Sequence, residues 1–312
     1  MNNLSEIYNA LKSSWGAEIE SLFNNDDVTE IMLNTNKTLW IETFSKGAIK
    51  TNIEFTEKQV LAISHILGSY VGQEINYTSP SLAGELPITG HRFQIDIPPI
   101  VSFPTFNFRK KATKIFTLEE YCKHEIITNE QFEYIKKIVK ERKNILIVGG
   151  TGSGKTTLTN AILNEIAKYN QRIIILEDTQ ELQCSAENQV FYKTSKTISM
   201  KQLIQITMRK TPERIVVGEI REGYSALGLL KTWNSGHEGG ISTIHANTAI
   251  LGLEKLEQYI EEVSVNSQKK LIASVTNVVI VISKINLKRK ISRILEINGI
   301  NEKNDYVFKE VK

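Results

Sequence analysis

The sequence contains little cysteine. Only Cys122 and Cys184 occur among its 312 residues, and no Cys-x-x-Cys pair is present. A disulfide framework needs several cysteine pairs and a cysteine-built zinc site needs closely spaced thiols, so the scarcity argues against both. Such cysteine usage is typical of proteins that work in the reducing cytosol.

Long apolar runs are also missing. The most apolar late stretch, residues 271–282, is interrupted by Ser274, Thr276 and Asn277. It is shorter than the roughly 20 residues that a membrane-spanning helix needs. Residues 1–14 lack a basic segment followed by an apolar one, so we expect no signal peptide there. Any membrane contact is therefore predicted to be peripheral.

The chain carries little net charge. Its 38 basic and 35 acidic residues leave a formal charge of +3, and 41% of the residues are hydrophobic. These values are ordinary for a globular protein, and they do not require a basic face for nucleic acid. Direct nucleic-acid binding is therefore not expected to be the main activity. The length predicts two domains, each with its own core.

Residues 1–112 predict a small α+β domain. Apolar side chains recur at helical spacing through residues 3–24, and the acidic residues there favour a helix that faces the core or another subunit over one that lies on lipid. A Thr56–Gln59 capping box predicts a helix over 57–70. Further expectations are strands at 29–33, 39–43, 53–55 and 93–97, a loop marked by Gly84 and Gly90, and a sheet stopped or edged by Pro98, Pro99 and Pro104.

A different pattern fills residues 113–312, after a basic linker predicted within 109–128. Short apolar runs alternate with helical segments, which predicts an α/β domain with a mostly parallel sheet flanked by helices. A helix is expected near 129–140. The predicted strands are 145–148, 172–176, 214–217, 240–244 and 278–282, followed by strands or hairpins at 291–297 and 306–311.

One segment matches G-x-x-x-x-G-K-[S/T] in full, between the apolar run NILIV and the helical pattern LTNAILNEI. Glycines let successive backbone N–H groups point at phosphate oxygens, and the next helix aims its positive end at the same oxygens. A chance glycine-rich turn is the alternative, but this context favours binding of ATP or GTP. The predicted nucleotide-binding residues are Gly149, Gly150, Thr151, Gly152, Ser153, Gly154, Lys155, Thr156 and Thr157.

Hydrolysis needs a group that activates water, and such groups sit at the carboxyl ends of strands beside the phosphate loop. Glu219 ends the run RIVVGE, and Glu177 and Asp178 end the run IIILED. His245 ends a third run and is a candidate sensor of the γ-phosphate. For each of these the alternative is a structural or solvated side chain at a strand end.

Arginine can stabilise the charge that develops during phosphoryl transfer. Surface ion pairs are the alternative for each arginine taken singly, and we expect one or two of the set to touch phosphate. The basic turn at residues 284–293 is most simply a solvated hairpin, with docking of acidic partners or lipid headgroups as the alternative. The arginine candidates are Arg92, Arg109, Arg209 and Arg221.

Four strings together resemble the successive motifs of the secretion traffic ATPases. The Walker A, Asp box, Walker B and His box of that superfamily resemble GGTGSGKTTLTNAILNEI, IILEDTQELQC, MRKTPERIVVGEIRE and WNSGHEGGISTIHANT. The N-terminal strings VTEIMLNTNKTLWIE, GELPITGHRFQIDIPPI and FPTFNFRKKATKIFTLEEY resemble the TrbB-like conjugative-transfer branch of type IV secretion. The resemblance covers nearly the whole chain.

This resemblance implies an ATP-hydrolysing hexameric ring that uses Mg²⁺ and powers conjugative transfer or type IV secretion. It further implies a RecA-like ATPase domain after the smaller N-terminal domain, with ATP at the junction of the two. The expected location is cytoplasmic, peripheral at the inner membrane, with other secretion and conjugation channel proteins as partners.

By the same resemblance, Lys155 and Thr156 serve ATP and Mg²⁺, and two arginines from the N-terminal domain close over the nucleotide. Two carboxylates also reach the metal through water. The residues carried over for these remaining roles are Glu177 as the Asp-box acid, Glu219 as the Walker B glutamate, His245 as the His-box histidine, and the arginines Arg92 and Arg109.

Several departures and rivals remain. Thr211, Glu222 and Glu238 stand where relatives often carry arginine, glycine and proline, and the first leaves open which arginine acts across a subunit interface. Alternatives within the superfamily are an ATPase for pilus assembly or retraction and one for type II secretion. The lack of a four-cysteine element counts against the latter. A helicase-like motor, a nucleotide-gated scaffold and a small-molecule kinase are the more distant alternatives.

Overall fold

The computed structural model describes residues 2–111, 115–285 and 288–311. Its contacts divide the chain into two compact units, residues 1–113 and 114–312. The predicted boundary at residue 112 lies outside the described residues, as do residues 286 and 287 of the predicted basic turn. None of the helices in the described ranges is long and apolar enough to cross a membrane.

The first unit is a six-stranded sheet with two helices. All of its strand pairs are antiparallel, and their order across the sheet is β3-β2-β1-β6-β5-β4 once the elements are numbered along the chain. The elements are α1 (Asn2–Asn24), β1 (Val28–Leu33), β2 (Thr38–Thr43), β3 (Gly47–Glu54), α2 (Glu57–Val71), β4 (Ser81–Glu85), β5 (Arg92–Asp96) and β6 (Thr105–Arg109).

Helix α1 faces the core, as its pattern predicts. Leu11, Trp15, Ile19 and Phe23 follow one another at four-residue spacing and are all buried. Gly16 interrupts the helix with φ 83° and ψ 171°, a kink that the apolar spacing did not predict. The expected helix at 57–70 is confirmed together with its Thr56 capping box, since it spans α2.

Two expectations for this unit are wrong. Gly84 lies inside β4 rather than in a loop, and only glycine fits there because a side chain would come within 2.9 Å of the Phe93 ring on the paired strand. Gly90 does lie in a loop, between β4 and β5. Pro104 does not end or edge the sheet, since β6 follows it directly and lies between β1 and β5. Phe106 and Phe108 alternate into the core from β6, and that burial gives the strand its place.

The second unit is an eight-stranded sheet with the order β14-β13-β12-β7-β11-β10-β8-β9. The six strands from β12 to β9 are parallel to their neighbours, whereas β13 and β14 pair antiparallel. Its elements are α3 (Leu118–Lys123), α4 (Asn129–Lys140), β7 (Ile145–Gly149), α5 (Lys155–Ala167), β8 (Ile173–Glu177), β9 (Gln189–Lys193), α6 (Met200–Thr207), β10 (Arg214–Val217), α7 (Gly223–Trp233), β11 (Ile241–His245), α8 (Ala249–Glu261), α9 (Lys269–Val275), β12 (Val278–Ile285), β13 (Lys288–Ile300) and β14 (Tyr306–Val311).

Both faces of this sheet are covered, which explains the continuous apolar runs of its central strands. In β7, Leu146 and Val148 join one core cluster with helices α6 to α9, while Ile145 and Ile147 join the opposite cluster with α3, α4 and α5. The mostly parallel α/β sheet is therefore confirmed. Strand β9 was not predicted, because its residues are half-buried or exposed at the sheet edge.

Asn144 fixes the start of β7, at the end of the sheet opposite the phosphate loop. The side chain is 2% exposed. Its Nδ2 donates to the carbonyl of Val275 at 2.8 Å, and its Oδ1 accepts from the backbone N–H groups of Gly239 and Gly240 at 2.8 and 3.1 Å. One buried amide thus links β7 to the segments that lead into β11 and β12.

We expect Asn144→Ala to lower the free energy of unfolding by about 3 kcal/mol, because it leaves three buried backbone groups without these partners. Urea denaturation followed by circular dichroism measures the change. The exposed Asn234→Ala serves as the control and should change the value by less than about 0.5 kcal/mol. Equal stability of the two variants would show that water or relaxation replaces the Asn144 bonds.

Candidate functional site

The candidate site is built on the carboxyl-end edge of the second sheet. Gly149 at the end of β7 is paired with His245 at the end of β11. Strand β10 comes next and leads into Glu219, and β8 follows with Glu177 as its last residue. Because paired strands lie about 4.8 Å apart, the Glu219 strand is roughly 10 Å from β7. The sequence analysis predicted that the strands ending in Glu177 and Glu219 lie beside the phosphate-loop strand. In the structure β11 lies between β7 and β10.

The phosphate loop turns sharply between β7 and α5. Gly152 and Gly154 have φ values of 68° and 100°, which side-chain-bearing residues rarely adopt. Helix α5 begins at Lys155, and its N-cap residue Gly154 provides no side-chain cap. The positive end of the helix is therefore open to an anion. Thr156 and Thr157 are half-buried in the first turn, and Thr151 is exposed.

Lys155 lies against the loop that precedes it. Its Nζ donates to the carbonyl oxygens of Gly149 at 2.9 Å and Gly150 at 3.1 Å. Ser153 is 3% exposed, and its Oγ finds no hydrogen-bond partner among the described residues. A buried hydroxyl without a partner is costly, so it favours a ligand with polar atoms. The ammonium, the orphaned hydroxyl and the open helix end fit a bound phosphate chain.

Glu219 is held by an arginine two residues further along the chain. Its Oε2 accepts hydrogen bonds from both Nε and Nη2 of Arg221, the first at 2.7 Å. The same guanidinium lies 3.8 Å from the Asp178 carboxylate through Nη1. Partial burial lowers the pKa of Arg221, but the hydrogen bond and charge of Glu219 and the charge of Asp178 outweigh it, so the pKa is raised. The guanidinium thus bridges the chain ends after β8 and β10.

Glu177 is buried, with 4% of its surface exposed. Its Oε1 accepts from the backbone N–H groups of Glu181 at 3.0 Å and Leu182 at 2.9 Å, so it shapes the turn after β8. The side chain also packs on β10, since a methyl group at Gly218 would lie 2.9 Å from the Glu177 Cγ. The carboxylate therefore adjoins the residue before Glu219.

His245 is half-buried, and its carbonyl accepts from the Lys255 Nζ at 3.0 Å. Two residues further, Asn247 brings its Oδ1 within 3.7 Å of the Cβ position of Gly150. Arg289 of β13 brings its Cδ within 3.1 Å of the Cβ position of Gly154. Neither Asn247 nor Arg289 was predicted from the sequence to lie beside the phosphate loop. Asn247 lies in the string IHANT, and Arg289 lies in the basic turn at residues 284–293, which the sequence suggested to be a solvated hairpin.

Arg92 and Arg109 lie in the first unit, directly opposite each other on β5 and β6. Like charges in such a pair repel, and acids on the two flanking strands, β1 and β4, offset the repulsion. Glu85 is opposite Arg92 on β4, and Glu30 is opposite Arg109 on β1, with 3.8 Å between the Arg109 Nε and the Glu30 Oε1. Each arginine therefore lies between an acid and the other arginine across the sheet.

His91, next to Arg92, is buried against the Phe23 ring at 5.3 Å. Its Nδ1 accepts from the backbone N–H of Lys111 at 3.1 Å, so the neutral ring carries its proton on Nε2. Burial, and secondly the charge of Lys110, lower the pKa of His91 from 6.5 to about 4. The folded first unit therefore holds an uncharged histidine at neutral pH.

The unfolded chain takes up a proton at His91 near pH 6.5, whereas the folded unit resists it until about pH 4. Stability that is present above pH 6.5 is thus lost as the pH falls toward 4, by up to about 3 kcal/mol. We expect urea unfolding monitored by tryptophan fluorescence to show this loss between pH 7 and 5, and His91→Gln to weaken the pH dependence. Parallel pH profiles of the two proteins would contradict the assignment to His91.

Metal-binding side chains are sparse at this edge. Within residues 2–111, 115–285 and 288–311, no three His, Cys, Asp or Glu side chains gather as a metal cluster. The hydroxyl of Thr156 and the carboxylates of Glu177 and Glu219 are the groups the sequence nominated for Mg²⁺. Mg²⁺ in nucleotide sites typically keeps several waters and uses one or two protein ligands with phosphate oxygens. Such a donor set is compatible with this edge.

Comparison with known proteins gives consistent matches. The family model for "Type II/IV secretion system protein" matches residues 16–297. The conjugal transfer protein TrbB of Rhizobium radiobacter is 40% identical over 294 residues, which are 93% of this chain and 90% of that protein. The type IV secretion system protein VirB11 of Bartonella quintana is 33% identical over 65% of this chain and 68% of its own length.

Solved structures agree on the fold. The X-ray structure of the Legionella pneumophila ATPase DotB matches with a TM-score of 0.65 at 15% sequence identity, covering 88% of this chain and 78% of that one. At this identity the likeness shows the fold alone. The family match, over residues 16–297, extends over both units and includes every residue of the candidate site.

Proposed function

This chain belongs to the type II/IV secretion system protein family, and we propose that it is an ATPase that powers conjugative transfer through a type IV secretion channel. The 40% identity to the conjugal transfer protein TrbB, which runs through 93% of the chain, supports the conjugative branch. It favours this branch over an ATPase for pilus assembly, pilus retraction or type II secretion. The nearly balanced charge of +3 gives no support to a helicase-like motor.

The observation that carries the proposal is the phosphate loop. Lys155 already lies on its concave side, bonded to the carbonyls of Gly149 and Gly150, and α5 presents an uncapped end beside it. When ATP binds, Lys155 exchanges these carbonyls for phosphate oxygens, which are stronger acceptors because they are charged. The buried Ser153 hydroxyl gains a partner in the same step.

Cleavage requires a water aligned with the γ-phosphate. Glu219 accepts a hydrogen bond from that water and orients it, while Lys155 and the α5 amides hold the charge that develops on the phosphate. Glu177 fixes the turn beside it, and His245 stands on the intervening strand, where it can follow the loss of the γ-phosphate. Mg²⁺, when bound, would supply charge neutralisation; the Thr156 hydroxyl would hold it, and Glu177 and Glu219 would do so through water.

The strand order supports a RecA-like assignment for the second unit, since one strand separates the phosphate-loop strand from the strand of the water-activating acid. We extend the proposal to a homohexameric ring, cytoplasmic and peripheral at the inner membrane, working with other channel proteins. We also propose that Arg92 and Arg109 bind nucleotide phosphate in that assembly.

The test combines two readouts on the same samples. Mass photometry with and without ATP and Mg²⁺ is expected to show a species of about six chains, and phosphate release should need Mg²⁺. Turnover that rises strongly with DNA, and falls with salt, would favour the helicase-like alternative. ATP binding without phosphate release would favour a nucleotide-gated scaffold and overturn the ATPase assignment.

A further inference from the structure

Arg221 stands apart from the other arginine candidates because its contacts at the edge of the site are all with acids. The side chain is 52% exposed, so it is not held by burial. Two of its N–H groups converge on one oxygen of Glu219, and a third faces Asp178 at 3.8 Å. The sequence nominated Arg221 as a residue that could touch phosphate, and in the structure it holds the catalytic acid instead.

We propose that Arg221 is the positioning residue for Glu219, the clamp that fixes the water-activating carboxylate in one orientation. The inference rests on the proposed ATPase function and deepens it by naming the group that orients the acid.

The two carboxylate oxygens of Glu219 have different surroundings. Both hydrogen bonds from Arg221 end on Oε2, and no hydrogen bond from the described residues reaches Oε1. Charge-assisted bonds through the planar guanidinium fork are directional, so they fix the plane of the carboxylate as well as its place. Oε1 is thereby left to accept a hydrogen bond from water, which is the role proposed for Glu219.

Asp178 supplies the second anchor of the clamp. It follows β8, whereas Glu219 and Arg221 follow β10, so the guanidinium is fixed between two neighbouring strand ends. A freely moving arginine would hold Glu219 only weakly, because an exposed ion pair in water gains less than about 1 kcal/mol. Two acids on adjacent strands reduce the freedom of the arginine and make the orientation more precise.

Water has access to this clamp. Glu219, Arg221 and Asp178 line a pocket of about 390 Å³, with Thr194, Ser195 and Ser199 among its other lining residues. Hydroxyl and carboxylate groups on one part of the lining, beside apolar Ile198 and Met200, offer partners to water next to Glu219. The pocket thus provides the space through which the water that Glu219 orients can be replaced after each turnover.

An alternative role for Arg221 is direct contact with ATP. A residue that binds nucleotide changes KM when it is removed, whereas one that only orients the acid changes kcat. A misplacement of a reacting group by about 1 Å can cost about 100-fold in rate, so a partial loss of orientation is expected to cost about 10- to 100-fold. The two roles therefore differ in which kinetic constant moves, and the test separates them.

The experiment measures steady-state phosphate release from ATP with Mg²⁺ by the full chain and its Arg221→Gln and Arg221→Lys variants. We expect Arg221→Gln to lower kcat about 10- to 100-fold, with KM for ATP and the affinity for a fluorescent ADP analogue within about twofold of the unmodified protein. Arg221→Lys keeps the charge but loses the fork, so it should recover part of kcat.

Arg293→Gln is the matched control. Arg293 makes the same kind of two-bond contact with a glutamate, Glu310, at 2.9 Å for each bond, and is about as exposed as Arg221. Its loss should leave both kinetic constants unchanged. A variant that fails to fold is recognised by its circular dichroism spectrum, and Arg221→Lys, which keeps the charge, then carries the comparison.

The outcomes are distinct. An unmodified protein that releases no phosphate overturns the proposed function, and the inference with it. An active protein whose Arg221→Gln variant is equally fast overturns the inference alone. A faster variant would show that Arg221 restrains Glu219, and a raised KM at constant kcat would show that it binds ATP; either result also contradicts the proposal.

Discussion

Lys155→Ala is expected to reduce ATP turnover by about 100- to 1,000-fold and to weaken ATP binding as well. The ammonium is the one charged side chain of the phosphate loop, and removing a donor aimed at developing charge costs about 3–4 kcal/mol. The structure already places Nζ within 3.1 Å of two loop carbonyls, so the group needs little movement to reach a phosphate.

Phosphate release measures the turnover of the variant, and titration with a fluorescent ATP analogue measures its affinity for the nucleotide. Lys303→Ala, which removes an exposed lysine from the turn before β14, is the control and should behave like the unmodified protein. Thermal unfolding of the Lys155 variant should stay close to that of the unmodified protein, because Lys155 is only half-buried and its bonds to Gly149 and Gly150 lie at the start of the phosphate loop rather than in the apolar core. A variant that keeps full turnover would remove the basis for the proposed site.

Glu219→Gln is expected to keep ATP binding and to lower the rate of cleavage by about 100- to 10,000-fold, the range in which removal of a general base falls. Glutamine preserves the shape and can still accept a hydrogen bond from Arg221, but it has no negative charge with which to polarise water. The variant should therefore hold ATP without consuming it. Rapid-quench measurement of a single turnover reports the cleavage step directly.

Glu222→Gln provides the matched control for this substitution. Glu222 is exposed, lies three residues after Glu219, and makes no side-chain cap on α7. Its replacement should leave cleavage within about twofold of the unmodified rate. If both glutamine variants turned over ATP at full speed, Glu219 would be a solvated strand-end carboxylate, the alternative that the sequence left open.

Local signals made much of the site predictable. The phosphate loop is contiguous in sequence, and its glycines and lysine carry the same physical requirement wherever they occur. Capping at Thr56 is equally local, because the cap and its partner are three residues apart. The ends of β8, β10 and β11 could be located since parallel strands buried on both faces have continuous apolar runs.

Pairing between distant segments was not predictable in the same way. The position of β11 between β7 and β10 depends on which strands bury most surface together. The order of the strands along the chain does not reveal their order across the sheet. Pro104 suggested the end of a sheet, yet the alternation of Phe106 and Phe108 after it made β6 a central strand. Gly84 suggested a loop because glycine is common in loops. The reason for glycine there is its closeness to the Phe93 ring on the paired strand, a contact that the sequence does not show.

Partners of charged side chains were the least predictable feature. The opposition of Arg92 and Arg109 follows from the register of β5 and β6, and the Arg221–Glu219 contact depends on the turn after β10. Two residues of one motif can hold each other or point apart, and sequence spacing does not decide between these arrangements. Only the folded chain assigns Arg221 to the acid rather than to phosphate.

The central claim is that the phosphate loop holds ATP through Lys155. The most direct measurement is an experimental structure of the chain with a non-hydrolysable ATP analogue and Mg²⁺. The account predicts a triphosphate wrapped by residues 150–156, with the Lys155 Nζ moved from the Gly149 and Gly150 carbonyls onto phosphate oxygens. A nucleotide bound elsewhere, with Lys155 still on those carbonyls, would contradict it.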